Sequence, residues 1–166
     1  MDLDKLGVGE KIASASAIAL FVFMFFDWFS AEVSASNGNF TASASEGGNA
    51  WDALDNIPIF LVIAIIVVLA VAALRLTDAD FEPPFPASAA IAVVGVASVL
   101  LILYRIIDPP GDSGDFAGVS VDISPAFGIF ISLIAAAGIT YGGYRAMQEE
   151  GVNLGGAGSP PAPPQA

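Results

Sequence analysis

The stretch Ile57–Leu76, IPIFLVIAIIVVLAVAALRL, decides the fold. It carries no charge before Arg75, and a helix of this length, rising about 1.5 Å per residue, is long enough to cross the hydrocarbon core of a bilayer. The composition of the whole 166-residue chain agrees, because 55% of its residues are hydrophobic and only 13% are charged. That balance excludes a soluble domain with a single core, so the sequence predicts an integral membrane protein.

Three further apolar runs predict transmembrane helices at residues 12–30, 86–107 and 125–146. The last two begin at Pro86 and Pro125, and proline suits the first turn of a helix because the first amides have no intrahelical acceptor. Residues 12–30 also resemble the apolar part of a signal peptide, but we interpret them as a first transmembrane helix. The predicted fold class is an all-α integral membrane protein, a bundle of four transmembrane helices with a small extracellular antiparallel β-sheet.

The basic residues predict how the helices are oriented. With four spans, Lys5, Lys11, Arg75 and Arg145 lie on one side of the membrane and Arg105 alone lies on the other. Because cytoplasmic segments carry the excess of Lys and Arg, both termini are expected in the cytoplasm. The cytoplasmic segments are then residues 1–11, 77–85 and the flexible tail 147–166, and the outside loops are residues 31–56 and 108–124.

The two outside loops carry strand signals. Asn37-Gly38 lies between stretches of alternating small and polar residues, Ala31–Ser36 and Asn39–Ser45, and Asn-Gly favours the turn of a β-hairpin. Val119–Ile123 alternates apolar and polar residues, as a third strand would. Two strands alone are marginally stable, so we expect all three in one sheet over the outer ends of the helices. The alternative is a pair of disordered Gly/Ser/Ala loops.

Both ends of the chain carry a family resemblance. Gly9–Ile12, Met24–Phe29, Gly138–Arg145 and Glu149–Gly151 together resemble small tetraspan membrane proteins of actinobacteria. The resemblance implies a four-helix membrane protein and no particular activity.

The layout of the predicted elements resembles a second group. Four helices with a larger first outside loop that forms sheet with the second resemble the claudin-type tetraspan architecture. Claudin-type loops carry a Trp motif and a cysteine pair, whereas this chain has Trp28 and Trp51 but no cysteine. The likeness is one of layout and carries over no residue role.

Several function classes are excluded by composition. The chain has no Cys and no His, which removes thiol nucleophiles, thiolate or imidazole metal sites and the usual haem ligands. Its net charge of −12 would repel nucleic acid. The predicted spans lack the polar midplane groups that ion-coupled transporters need, and no catalytic constellation is recognisable. We therefore predict no enzyme activity, no metal ligand and no cofactor.

Three sets of residues are candidates for a functional role. Small residues at helical spacing let helices approach closely, either between chains or, alternatively, within one chain. Asp27 and Arg105 are placed at the same membrane level and are a candidate inter-helix ion pair, with Asp52, Asp55 and Asp108 as competing partners. Trp28, Phe29 and Trp51 are candidate interfacial aromatic residues. The candidate packing or self-association residues are Gly128, Ser132, Ala135, Gly138 and Gly142 in the fourth span and Ser88, Ala92 and Gly95 in the third.

The sequence therefore predicts a non-catalytic multi-pass protein of the cell membrane that works in structural assembly. The expected partners are membrane lipid, copies of the same chain or other membrane subunits. The alternative is an accessory subunit or a small conduit for solutes or lipids, which a polar cavity at the midplane would favour.

Overall fold

A computed structural model describes residues 5–36, 41–54, 56–77, 86–111, 113–116 and 119–151. In chain order, the elements are α1 (Val8–Phe23), β1 (Asp27–Ser36), β2 (Thr41–Asn49), α2 (Ala50–Ala53), α3 (Ile57–Leu76), α4 (Ala87–Ile107), β3 (Gly114–Phe116), β4 (Val119–Pro125) and α5 (Phe127–Glu149). Helices α3, α4 and α5 are 20, 21 and 23 residues long, and by length and composition each could cross a membrane. These three candidate spans indicate a membrane protein.

The predicted all-α bundle of four transmembrane helices is wrong. Among the described residues only three helices qualify as spans, because α1 has 16 residues and ends at Phe23. The predicted first span, residues 12–30, instead divides into a helix, a short turn at residues 24–26 and the start of strand β1 at Asp27. The apolar residues Trp28 and Phe29 extended the hydrophobic pattern, but they belong to the strand and are buried there.

The sheet has four antiparallel strands in the order β2-β1-β4-β3, rather than the three that were predicted. The additional strand, β3, covers only Gly114–Phe116 and lies in the predicted outside loop 108–124, before the predicted third strand. Strands β1 and β2 are also longer than the alternating patterns, and the Asn37-Gly38 turn proposed between them lies outside the described residues.

The helices pack around α5. Helix α5 lies between α1 and α4, and α3 contacts α1 and α4 on another side of the bundle. Helices α1 and α4 run in one direction, and α3 and α5 run in the other. The sheet lies at one end of the bundle, beside the end of α1 and the start of α5, and the start of α1 and the end of α5 lie at the other end. The core that joins the helices includes Leu20, Leu61, Ile65, Ile102 and Ile139, all at most 4% exposed.

Candidate functional site

The small residues of α5 face α1 within the same chain. A Cβ atom added to Gly142 would lie 2.5 Å from the Ala13 nitrogen and 2.8 Å from the Ala13 Cβ. One added to Gly138 would lie 3.0 Å from the Ser16 Cβ. The two backbones are therefore close enough that only hydrogen fits at Gly142, which is how small residues promote helix packing in lipid.

The other side of α5 faces α4 in the same manner. A Cβ atom added to Gly143 would lie 2.5 Å from the Ala92 nitrogen, and one added to Gly95 would lie 2.7 Å from the Thr140 nitrogen. The sequence analysis identified Ala92 and Gly95 but missed Gly143. The adjacent glycines 142 and 143 point to different helices, so one dipeptide makes the close contact on both sides of α5.

The remaining candidate packing residues are also buried or in close contact within the same chain. Gly128 packs on strand β1, where an added Cβ would lie 2.5 Å from the Asp27 carbonyl oxygen. Ser132 is fully buried and Ala135 is 7% exposed. Ser88, at the start of α4, is also fully buried. Gly95, Gly138, Gly142 and Gly143 therefore lie against other helices of the same chain, and Gly128 lies against strand β1.

A polar network closes the end of the bundle opposite the sheet, and we call it the polar clasp. Arg75, at the end of α3, forms an ion pair with Glu10 of α1 at 3.2 Å and a second one with Glu150, which caps the end of α5. The Ser88 hydroxyl of α4 donates to the same Glu150 carboxylate. Residues from the ends of all four long helices are therefore joined through Arg75 and Glu150.

The clasp also provides hydrogen-bond acceptors for backbone amides at the start of α1. The Glu10 carboxylate accepts from the Gly7 amide at 3.1 Å, and the Glu149 carboxylate accepts from the Gly9 amide at 3.2 Å. Carboxylates at a helix N-terminus and an arginine at a C-terminus both complement the helix dipole. Glu10 is only 6% exposed, so Arg75 compensates a carboxylate that is largely removed from water.

The clasp was not predicted from the sequence because its members lie up to 140 residues apart in the chain. The available signal was indirect: Arg75 ends a long apolar run, and such a residue needs an acidic partner from another helix end. Among the described residues no group of three or more Asp, Glu, His or Cys side chains is placed to hold a metal ion.

The structure records no ion pair between Asp27 and Arg105, although both residues are described. Asp27 is exposed at the start of β1 and lies against Gly47 of β2. Arg105 instead donates to the carbonyl oxygen of Asp108 at 3.3 Å, in its own helix end. The two residues lie on the same side of the bundle, but the structure does not bring them together.

The three predicted interfacial aromatic residues have different environments. Trp28 is fully buried, and its indole nitrogen donates to the Phe23 carbonyl oxygen at 2.9 Å, which satisfies an acceptor at the end of α1. Phe29 is also buried. Trp51 is 41% exposed and stacks at 5.9 Å on Phe25, which is itself exposed. Only Trp51 among them has the exposure that an interfacial residue needs.

The sheet is firmly attached to the helices at one end. The Ala50 amide, directly after β2, donates to the Met24 carbonyl oxygen at 3.1 Å. The Ala126 amide, directly after β4, donates to the Trp28 carbonyl oxygen at 2.8 Å. Together with the close contact of Gly128 on β1, these bonds fix the sheet relative to α1 and α5.

The far half of the sheet extends clear of the helices. From Ser36 back to Glu32 most of β1 is exposed, and β2 is exposed from Thr41 to Gly47. One face carries small apolar residues, since Val33 lies opposite Ala44 and Val121 in the register. We call this far half of β1 and β2 the projecting hairpin.

The opposite face of the sheet carries hydroxyl groups and carboxylates. Ser34 lies opposite Ser43 and Ser120, and Glu32 lies opposite Asp122. Strand β2 is also an edge strand, so one row of its backbone amides and carbonyls has no neighbouring strand within the sheet.

In comparisons with known proteins, no family model and no curated protein matches this chain. The resemblance to actinobacterial tetraspan proteins therefore stays an expectation from the sequence.

Proposed function

We propose that this protein is a non-catalytic membrane subunit that works in structural assembly, and that the projecting hairpin is its contact surface. In this proposal the helices are the anchor. Their small residues are used in contacts within the chain, which leaves the sheet, rather than the α5 glycines, to make contacts with copies of the chain or with other membrane subunits.

The observation that carries this proposal is an exposed sheet on a fixed base. A nine-residue edge strand, β2, is uncovered over most of its length, and its alternating Ser and Ala side chains leave the backbone accessible. Natural proteins usually protect such edges with Lys, Pro or a bulge, because an open edge pairs readily with another strand. The described part of β2 has neither Lys nor Pro.

The interior of the bundle favours an anchor over a conduit. The hydroxyls of Ser98 and Thr140 each donate to a carbonyl of their own helix, at 2.8 and 3.0 Å. Within the three candidate spans the charged residues are Arg75, Arg105, Arg145 and Glu149, and each lies in the last five positions of its helix. A solute path would need polar groups that face an opening near the midplane.

The proposal also includes the orientation of the protein in the membrane. The start of α1 and the end of α5 are neighbours, since an added Gly9 Cβ would lie 2.5 Å from the Gly142 carbonyl oxygen and 2.8 Å from the Ala146 Cα. At this end of the bundle lie Lys5, Lys11, Arg75 and Arg145. Of the five basic residues, Arg105 alone lies at the sheet end. By the positive-inside rule the clasp is cytoplasmic and the sheet is outside the cell membrane.

Single cysteines test the contact surface, because the native chain has none. Ser43→Cys, on β2, should give a cross-linked adduct of one defined size when membranes are treated with a short thiol cross-linker. Ile66→Cys is the matched control, since Ile66 is 58% exposed on the outer face of α3 and is far from the sheet. Adducts from Ile66→Cys but not from Ser43→Cys would contradict the proposed surface.

A further inference from the structure

The three candidate spans have uncharged stretches of equal length. On α3 it runs over residues 57–74 and ends at Arg75, on α4 over residues 87–104 and ends at Arg105, and on α5 over residues 127–144 and ends at Arg145. Each stretch has 18 residues, which at about 1.5 Å per residue gives about 27 Å. The arginine thus lies 18 residues after the first residue of each helix, although the three helices differ in sequence.

Helix α1 shortens this apolar surface further on one side. It lies along α5, from Gly9 beside Gly142 to Ser16 beside Gly138. Helix α1 has only 12 uncharged residues between Lys11 and its end at Phe23, which corresponds to about 18 Å. Beyond Lys11 its exposed side chains, among them Ile18, Phe21 and Val22, are apolar.

Polar and amphipathic side chains mark both limits of this belt. At the sheet end Tyr104 is 53% exposed and Arg105 reaches the Asp108 carbonyl oxygen. At the other end Tyr144 is 47% exposed, next to Arg145. Tyr and Arg at helix ends mark the boundary between hydrocarbon and headgroups.

We propose that the lipid-facing belt of this protein fits a bilayer whose hydrocarbon core is about 25–27 Å thick, thinner than the average of about 30 Å. The partner that this surface fits is therefore a bilayer of short-chain, sterol-free lipids, and the protein partitions into the thinner of two coexisting bilayers. Any tilt of the helices shortens the belt further along the membrane normal.

The test uses the full chain in vesicles of phosphatidylcholine whose two monounsaturated chains lengthen in steps from about 14 to about 22 carbons. Thermal unfolding is followed by circular dichroism in each bilayer. The melting temperature should be highest in the shorter-chain half of the series and about 5 °C or more lower at the longest chain, because each Å of mismatch costs a fraction of a kcal/mol. A melting temperature that is flat across the series, or highest in the longest chains, would overturn the proposal.

A charge variant makes the test specific to the length of the belt. Arg145→Leu lengthens the uncharged stretch of α5 from 18 residues to 22, up to Glu149. The lipid chain length that gives the highest melting temperature should then increase. Arg145→Lys keeps the charge and should leave that chain length unchanged. Equal optima for Arg145→Leu and Arg145→Lys would count against the proposal, and if Arg145→Leu does not fold, the wild-type series decides alone.

Discussion

Replacing Gly142 with alanine should force α1 away from α5. The new Cβ would lie 2.5 Å from the Ala13 nitrogen, 2.7 Å from the Gly9 carbonyl oxygen and 2.8 Å from the Ala13 Cβ. Ordinary van der Waals contact begins at 3.4 Å, so α1 must retreat by about 0.6–0.9 Å, the difference between 3.4 Å and these distances. The obstructing atoms belong mostly to backbone and cannot rotate away.

The net effect on stability follows from two opposing terms. Overpacking typically costs about 1–3 kcal/mol, and a gap of this size along the helix pair forfeits a quarter to a half of the dispersion energy of each separated contact. Alanine also favours helix over glycine by about 1 kcal/mol. We therefore expect a net loss of about 1–2 kcal/mol in the free energy of unfolding, or about 2–8 °C in melting temperature.

The matched control is Gly138→Ala, one turn away on the same face of α5. Its new Cβ would meet the Ser16 hydroxyl, which can rotate away, and the Ser16 Cβ at 3.0 Å, so its melting temperature should fall less than that of Gly142→Ala. Both variants are compared with the wild type by thermal unfolding in detergent, with circular dichroism as the check on helicity. If Gly142→Ala is as stable as Gly138→Ala, the close contact of α1 with α5 is not as described.

Three further predictions concern the clasp, the buried indole and the topology. Arg75→Met leaves the Glu10 carboxylate largely buried without its cation and should lower the free energy of unfolding by about 1–3 kcal/mol. This is less than for a fully buried pair, because Arg75 is itself 45% exposed. In a double-mutant cycle the added Glu10→Gln should recover part of this loss, and strict additivity would mean that the pair does not interact. Trp28→Phe removes an indole hydrogen bond inside the core and should cost about 1–3 kcal/mol in chemical denaturation, so a variant as stable as the wild type would show that the bond contributes nothing. Ser43→Cys should react with a membrane-impermeant thiol reagent on intact cells and Gln148→Cys should not, and the reverse labelling pattern would overturn the orientation.

The sequence was most informative where a residue's environment depends on its neighbours in the chain. The apolar run of α3 and the alternation in β4 reflect local periodicity, and both elements are where the pattern indicated them. The small residues on α5 also indicated close helix packing, but one chain cannot show whether the partner helix belongs to the same molecule. In the structure, Gly142 contacts Ala13 and Gly143 contacts Ala92 of the same chain.

The errors arose where tertiary contacts override the local pattern. The run from Ile12 through Phe29 is apolar almost throughout, so hydropathy could not show that the helix ends at Phe23. The end is set by contacts that hydropathy does not record, including the bond from the Trp28 indole to the Phe23 carbonyl and the pairing of β1 with β2 and β4. The polar clasp was not predicted from the sequence for a similar reason, because its members come from distant parts of the chain.

The mass of the native particle tests the assembly proposal most directly. The protein is extracted from membranes in lipid nanodiscs, without dilution into harsh detergent, and its mass is measured particle by particle and compared with the 16.9 kDa of one chain. We expect one discrete species that contains either several copies of the chain or one copy with a second subunit, and we expect Ser43→Pro, which removes an amide from β2, to reduce it. A uniform population of single chains, unaffected by that substitution, would contradict the proposal.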